Sequence, residues 1–301
     1  MNRKVQGLLA ALLVFCWIGC SGDDNPTRDA GVDGPVVEAG ADLRKDGVKT
    51  SDYWLKLVSI YDIESAEAVV IRNNQIIVAG DADQRGRSRE VVVMAMDKVG
   101  QMLWSKQFGV QGWDTPAALG DVGGKLWLVG RIGQFRGFWR SVGDDGTLGT
   151  ITQLGAADGD GFSALAPTSS GETVLVGTTK TGSEEDVWAV RLASDGSTIK
   201  WSKRYAQSGG TFLEDGNAAV ALTSGVLVVG TSVDFSTSNL EGWLLMLDDQ
   251  GGITWQKTLS GPQLERLYAV AREGDDALVV GATRSQGGGG AELTPGSWGF
   301  S

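Results

Sequence analysis

Five carboxylates recur with one spacing. Glu64, Asp114, Asp160, Glu214 and Glu265 each stand four residues before an alanine, namely Ala68, Ala118, Ala164, Ala218 and Ala269. Three kinds of work are open to such a set. The acids can hold a cation or a polar ligand at the rim of a central channel. A pair of them can serve as the acid and base of glycosidic-bond cleavage. Each can instead close the turn that enters a strand, by accepting hydrogen bonds from backbone N–H groups. Recurrence in every repeat favours the structural role.

Little else in the chain could do chemistry. There is no His among the 301 residues. That removes Ser-His-Asp and Cys-His mechanisms, His-ligated zinc and any His proton shuttle. Both Cys, Cys16 and Cys20, lie at the extreme N-terminus, so the body has no disulfide framework and no thiolate metal site. Asp158-Gly159-Asp160-Gly161 is half of a calcium loop without its remaining ligands, and reads as a turn. Gly287 to Gly290 is not followed by the Lys and Ser/Thr of a phosphate cradle. No metal or cofactor is expected. The net charge of −11 disfavours nucleic acid and anionic lipid as partners bound through a basic field.

The elements that position the acids are repeats. An apolar run ending in glycine recurs about every 50 residues: IIVAG to Gly80, LWLVG to Gly130, VLVG to Gly177, VLVVG to Gly230 and ALVVG to Gly281. The small residue lies twelve before the glycine, with Ala164 one place out of step. A Trp run into an Asp/Gly turn keeps the same beat (Trp188-AVRLASDG, Trp243-LLMLDDQG, more loosely Trp139-RSVGDDG). So does a Trp-x-Lys strand after that turn, at Trp54, Trp104, Trp201 and Trp255, with Ile151 in the slot of the third repeat. Each repeat holds four short β-type runs and no sustained helical periodicity. The expected fold is all-β: a β-propeller of about five four-stranded blades over residues 51–301. Trp54–Val58 would complete the blade begun at Glu265. A truncated six- or seven-bladed ring is the alternative.

The repeat resembles a bacterial β-propeller family with a unit of the form D-x-A-x-A…GG-x-x-V-x-G-x-T…D-x-W-x-x-x-L-D…G-x-x-x-W-x-K. Here it reads EDGNAAVALTSGVLVVGTS…EGWLLMLDDQGGITWQK over residues 214 to 257. The Asp-x-x-Gly before a Trp strand is also similar to quinoprotein-like propellers, some catalytic and some pure scaffolds. Such a fold hosts many roles, so the resemblance implies architecture and not activity.

The N-terminus reads as an address. Arg3 and Lys4 precede an apolar run from Val5 to Ile18, too short to span a membrane as a mature helix. Gly19-Cys20 at the apolar-to-polar switch resembles a bacterial lipobox. That implies a signal peptide over 1–19 and acylation of Cys20; an ordinary signal peptide with an incidental Cys is the alternative. Residues 21–50 carry seven acids, four bases and no aromatic, and read as a disordered acidic tether. About 30 residues would hold the domain on the order of 30 Å from the membrane. Ser21 after the Cys leans toward the outer membrane, with the domain facing the periplasm or the surface. The expected function is a lipid-anchored binding or scaffolding module at the cell envelope, with an envelope protein or polysaccharide as partner. The alternative is a propeller enzyme of hydrolase or lyase type using the five acids.

Overall fold

In a computed structural model of the chain, the described residues are 63–300, apart from 84–87, 111, 134–135, 156–158, 208–211, 235–238, 262–264 and 284–293. The expected signal segment, Cys20, the tether and the Trp54 strand lie outside them.

Every described element is a strand. β1 (Ile63–Arg72), β2 (Gln75–Asp83), β3 (Arg89–Met96) and β4 (Met102–Phe108) form the first antiparallel sheet, in sequence order. β5 (Thr115–Val122), β6 (Lys125–Ile132), β7 (Arg136–Val142) and β8 (Thr152–Leu154) form the second. β9 (Gly161–Pro167), β10 (Thr173–Thr181), β11 (Glu184–Leu192) and β12 (Ile199–Tyr205) form the third. The fourth holds β13 (Phe212–Leu222), β14 (Gly225–Asp234), β15 (Asn239–Leu247) and β16 (Ile253–Leu259). The fifth has three described strands, β17 (Glu265–Glu273), β18 (Asp276–Thr283) and β19 (Thr294–Phe300). Innermost strands pack in succession: β1 on β5, β5 on β9, β9 on β13, β13 on β17. Consecutive four-stranded meanders stacked through their first strands are the blades of a β-propeller. Among the described residues, β17 does not pack on β1 as the four consecutive pairs pack on one another.

The core lies between blades, which explains the apolar runs. A second strand is covered on both faces, so its sequence is continuously apolar and does not alternate. In β14, Val226 and Val228 pack against the third sheet while Leu227 and Val229 pack against the fifth. In β6, Leu126 and Leu128 meet the first sheet and Val129 meets the third. The outermost strands face water. β16 is exposed over nearly all its length and reads ITWQKTL, polar between apolar residues.

Each marker glycine has a steric cause. Every first strand carries a bulge opposite it: between Ala66 and Ala68, Pro116 and Ala118, Gly216 and Ala218, Leu267 and Ala269, and opposite Val176/Gly177 in the third sheet. The bulge pushes a carbonyl toward the second strand. A Cβ at Gly80, Gly130, Gly177, Gly230 or Gly281 would overlap the carbonyl oxygen of Ser65, Thr115, Gly161, Asp215 or Arg266 respectively. The recurring alanine packs beside this point, opposite the residue before the glycine. Ala164 has the same position, opposite Val176. Its displaced numbering comes from the Pro167–Thr173 hairpin, one residue longer than the hairpin that joins Ala221 and Val226.

The turn between third and fourth strands accounts for Asp-x-x-Gly. Asp97 Oδ1 accepts from the N–H groups of Val99 and Gln101 (2.9 and 2.8 Å), and Asp248 Oδ1 accepts from that of Gln250 (2.8 Å). Gly100 and Gly251 then take φ of 78° and 70°, the left-handed region glycine favours. Two outer-strand tryptophans clasp the corresponding turn of the next blade. Trp104 Nε1 donates to the Asp144 carbonyl (2.8 Å) and Trp201 Nε1 to the Asp249 carbonyl (3.0 Å). Where Ile151 replaces the Trp, Trp139 Nε1 reaches the Gly196 carbonyl instead (2.8 Å).

Candidate functional site

The recurring acids stand where the loop from one blade's outer strand enters the next blade's first strand. Asp114, Asp160, Glu214 and Glu265 are all buried. Glu64 is the second residue of β1, opposite Ala82 on β2; its side chain lies outside the described residues.

Each described carboxylate accepts from backbone amides. Asp114 Oδ2 accepts from the Val110 N–H (2.6 Å) in the incoming loop, and its Oδ1 accepts from the Gly133 N–H beyond β6. Asp160 Oδ1 accepts from the Lys180 N–H (2.8 Å) on β10. Glu214 Oε1 accepts from the Gln207 N–H (3.2 Å). Glu265 Oε2 accepts from the Gly261 N–H (3.0 Å), and its Oε1 accepts from the Thr283 hydroxyl (3.3 Å). The two aspartates sit against a glycine five residues upstream. A Cβ at Gly109 or Gly155 would run into the carboxylate of Asp114 or Asp160. Short acid and bare backbone go together there.

Burial sets the electrostatics. It pushes Asp114 up, against the two backbone N–H bonds that favour its charged form, with Glu90 adding repulsion. Glu214 is pushed up to about 7, first by burial and then by the charges of Asp186, Glu184 and Asp215, while the Gln207 N–H pulls the other way. Asp186 is also raised by burial, with Glu184 repelling it and Arg204 opposing (Nη1 to Oδ2, 3.5 Å).

The acids acting on Glu214 are therefore Asp186, Glu184 and Asp215, and not its counterparts in the other blades. None of the three was singled out by spacing; the visible cue was the acidic run Glu184-Glu185-Asp186, which opens β11 just before Trp188. Two further polar groups belong to this corner. Ser232 lies opposite Glu214 in the β13–β14 ladder, and the Ser232 Oγ and Gln207 Nε2 are buried without a hydrogen-bond partner among the described residues. Thr178 donates to Asp215 Oδ1 (3.0 Å).

Among the described residues, no group of three or more His, Cys, Asp or Glu is arranged to hold a metal ion. The half calcium loop lies partly outside the described residues, and Gly287 to Gly290 lie wholly outside them. Sequence reasoning also missed the bulge residues. Asn217 donates from Nδ2 to the Leu267 carbonyl of the next blade (2.8 Å), while Glu67 and Tyr268 are exposed.

No protein-family model and no curated protein matches the chain. Solved structures similar to it include β-1,2-mannobiose phosphorylase from Listeria innocua, at 9% identity, covering 81% of this chain and 92% of that one, with a TM-score of 0.47. Endo-arabinase from Bacteroides thetaiotaomicron is similar at 12% identity, covering 78% of this chain and 93% of that one, with a TM-score of 0.41. A GH43 endo-arabinanase from Bacillus licheniformis follows at 10% identity, covering 76% and 92%, with a TM-score of 0.39. Likeness at this level says nothing about substrate or catalytic residues, and it does not reach the finer resemblance to quinoprotein-like repeats.

Proposed function

We propose that the chain is a lipid-anchored, extracytoplasmic propeller that acts as a binding or scaffolding module at the bacterial outer membrane. Its partner is an envelope protein or a polysaccharide. The observation that supports this reading is the use made of the recurring acids: the four described carboxylates are buried and accept bonds from the backbone or a neighbouring hydroxyl at blade junctions. Acids occupied in that way brace the loops. The anchor rests on Cys20 and the segment around it.

Two experiments test the reading. Cys20→Ser should release the protein from membranes into the soluble fraction; retention of the variant on membranes overturns the anchor. Asp114→Asn and Asp160→Asn should lower stability by about 0.5–2 kcal/mol each, as for lost strand or helix caps. Their partner binding should survive once the variants are folded.

A second reading is a hydrolase or lyase using carboxylate chemistry, and one observation favours it. A carboxyl pushed up to about 7 beside other acids, as Glu214 is, suits a general acid at neutral pH. Hydrolysis of a glycoside or polysaccharide that stops in Glu214→Gln, with the fold intact, would establish it.

A further inference from the structure

We infer that Trp113 is the stacking platform of a polysaccharide-binding site, taking one neutral sugar ring against its free face at the junction of the first and second sheets. The inference rests on the proposed binding reading and chooses between its two partner classes.

Trp113 keeps no beat. Among the tryptophans whose side chains are described, Trp104, Trp201 and Trp255 recur on outer strands, and Trp139, Trp188 and Trp243 on third strands. Trp127 packs into the core between the second and third sheets. Trp113 belongs to none of these sets. It stands just before the recurring acid Asp114, where the next two junctions carry Gly159 before Asp160 and Leu213 before Glu214. The same parallel bridge that holds Trp113 is made at Leu213 with Glu185, so the junction forms without an indole. Trp113 is nevertheless 57% exposed, more than any other described aromatic side chain. A feature shared by every repeat serves the fold; a large apolar ring set in water at one junction alone does not.

The ring is held still before anything binds. The Arg89 N–H donates to the Gly112 carbonyl and the Asp114 N–H donates to the Arg89 carbonyl, both at 3.1 Å, which fixes the backbone on either side of Trp113. Bridge partners send their side chains to the same side of a sheet. The Arg89 guanidinium accordingly lies over the indole, 4.9 Å from its centre. Arg89 is braced in turn: its Nη1 lies 3.2 Å from Oδ2 of Asp81, which is buried and accepts from the Ser65 hydroxyl at its other oxygen. With Arg89 against one face, an exposure of 57% leaves the opposite face open. A fixed aromatic ring loses little conformational freedom when a ligand arrives.

Charge selects the ligand. A guanidinium already on the ring disfavours a second cation. Glu90 beside Arg89 and a net charge of −11 disfavour a polyanion. A neutral ring remains. A sugar offers a patch of C–H groups matched to one indole, edged by hydroxyls. Its C–H groups, slightly positive, meet the negative face of the π system, and its hydroxyls meet polar groups at the rim. A protein anchor would sit among further apolar side chains that shut out water. Trp113 instead has Gly112 and Asp114 beside it in the chain and Arg89 and Glu90 across the bridge.

The test uses the full chain and neutral polysaccharides, a mannan, a xylan and a β-glucan, each cast into a native gel. At least one should retard the protein. In Trp113→Ala the dissociation constant read from that retardation should rise at least about tenfold. Trp113→Tyr keeps a ring and should lose less. Trp255→Ala removes the other exposed indole among the described residues and should bind as the parent does. Hydroxyl-radical labelling of the unaltered chain covers the case in which the variants fold poorly: the retarding polysaccharide should reduce labelling at Trp113 and not at Trp255. Retardation of Trp113→Ala equal to the parent's, or labelling at Trp113 that the polysaccharide leaves unchanged, overturns the site while the binding reading stands. An equal loss in Trp255→Ala overturns it in favour of general apolar adhesion. Retardation by none of the polysaccharides overturns the ligand class and leaves the module to a protein partner. Reducing ends released from the bound chain would end the binding reading in favour of the enzymatic one, with the Trp113 contact still standing.

Discussion

Glu214→Gln should stabilise the protein above neutral pH and leave it nearly unchanged in acid. In the folded chain Glu214 keeps its proton up to about 7, because burial and the charges of Asp186, Glu184 and Asp215 oppose ionisation. Unfolded, the same carboxyl ionises near its ordinary value of 4.5. Between those values the folded state holds the proton more tightly, so stability falls as pH rises through the window and the loss is complete above it. A gap of about 2.5 units corresponds to roughly 3 kcal/mol. Glutamine has no proton to lose. Its carbonyl can still accept from the Gln207 N–H, and its amide stands across the ladder from the unpartnered Ser232 hydroxyl. Urea unfolding followed by tryptophan fluorescence at pH 4, 6 and 8 reads the effect. The variant's midpoint should lie on the order of 1 M above the parent's at pH 8 and match it at pH 4. A variant less stable than the parent at pH 8, or one that keeps the parent's decline between pH 4.5 and 7, would refute the reasoning.

The remaining predictions concern the junctions. Gly177→Ala places a methyl on the Gly161 carbonyl and within 2.7 Å of the Phe162 Cα, both backbone that cannot rotate away. It should cost at least about 1–3 kcal/mol in denaturant unfolding, and a neutral result would mean that the bulge relaxes. Trp201→Phe removes the bond to the Asp249 carbonyl and should cost about 0.5–1.5 kcal/mol, seen as a lower thermal midpoint. Asp114→Ala strips acceptors from the Val110 and Gly133 amides and should cost about 1–3 kcal/mol. Increased hydrogen exchange at both amides would identify the cause.

Much of the fold was legible because a repeat shows each constraint several times. The apolar run, the glycine and the Asp-x-x-Gly turn each mark a place where backbone geometry admits few residues, and each fell where the beat put it. The steric reason for the glycine was not legible. It depends on a bulge in a partner strand, and a bulge is one extra residue with no type of its own: Glu67, Ala117, Ser163, Asn217 and Tyr268 share no chemistry. The positions of the acids were readable for the same reason as the glycines, but their partners were not. Asp160 finds its amide at Lys180 and Asp114 finds one at Gly133, some twenty residues on, and backbone N–H groups leave no mark on a sequence. The corner around Glu214 depends on Asp186 and Glu184, brought in by the preceding blade; only the fold makes them neighbours.

The indole-to-carbonyl clasp between consecutive blades carries a consequence for how such a chain can change. The second and third units each bring a hook for the one ahead and an eye for the one behind. A gene duplication that copied one whole period, spliced in at a loop, would arrive with both fastenings made. Length can then drift in steps of about fifty residues while the joints so fastened keep their chemistry.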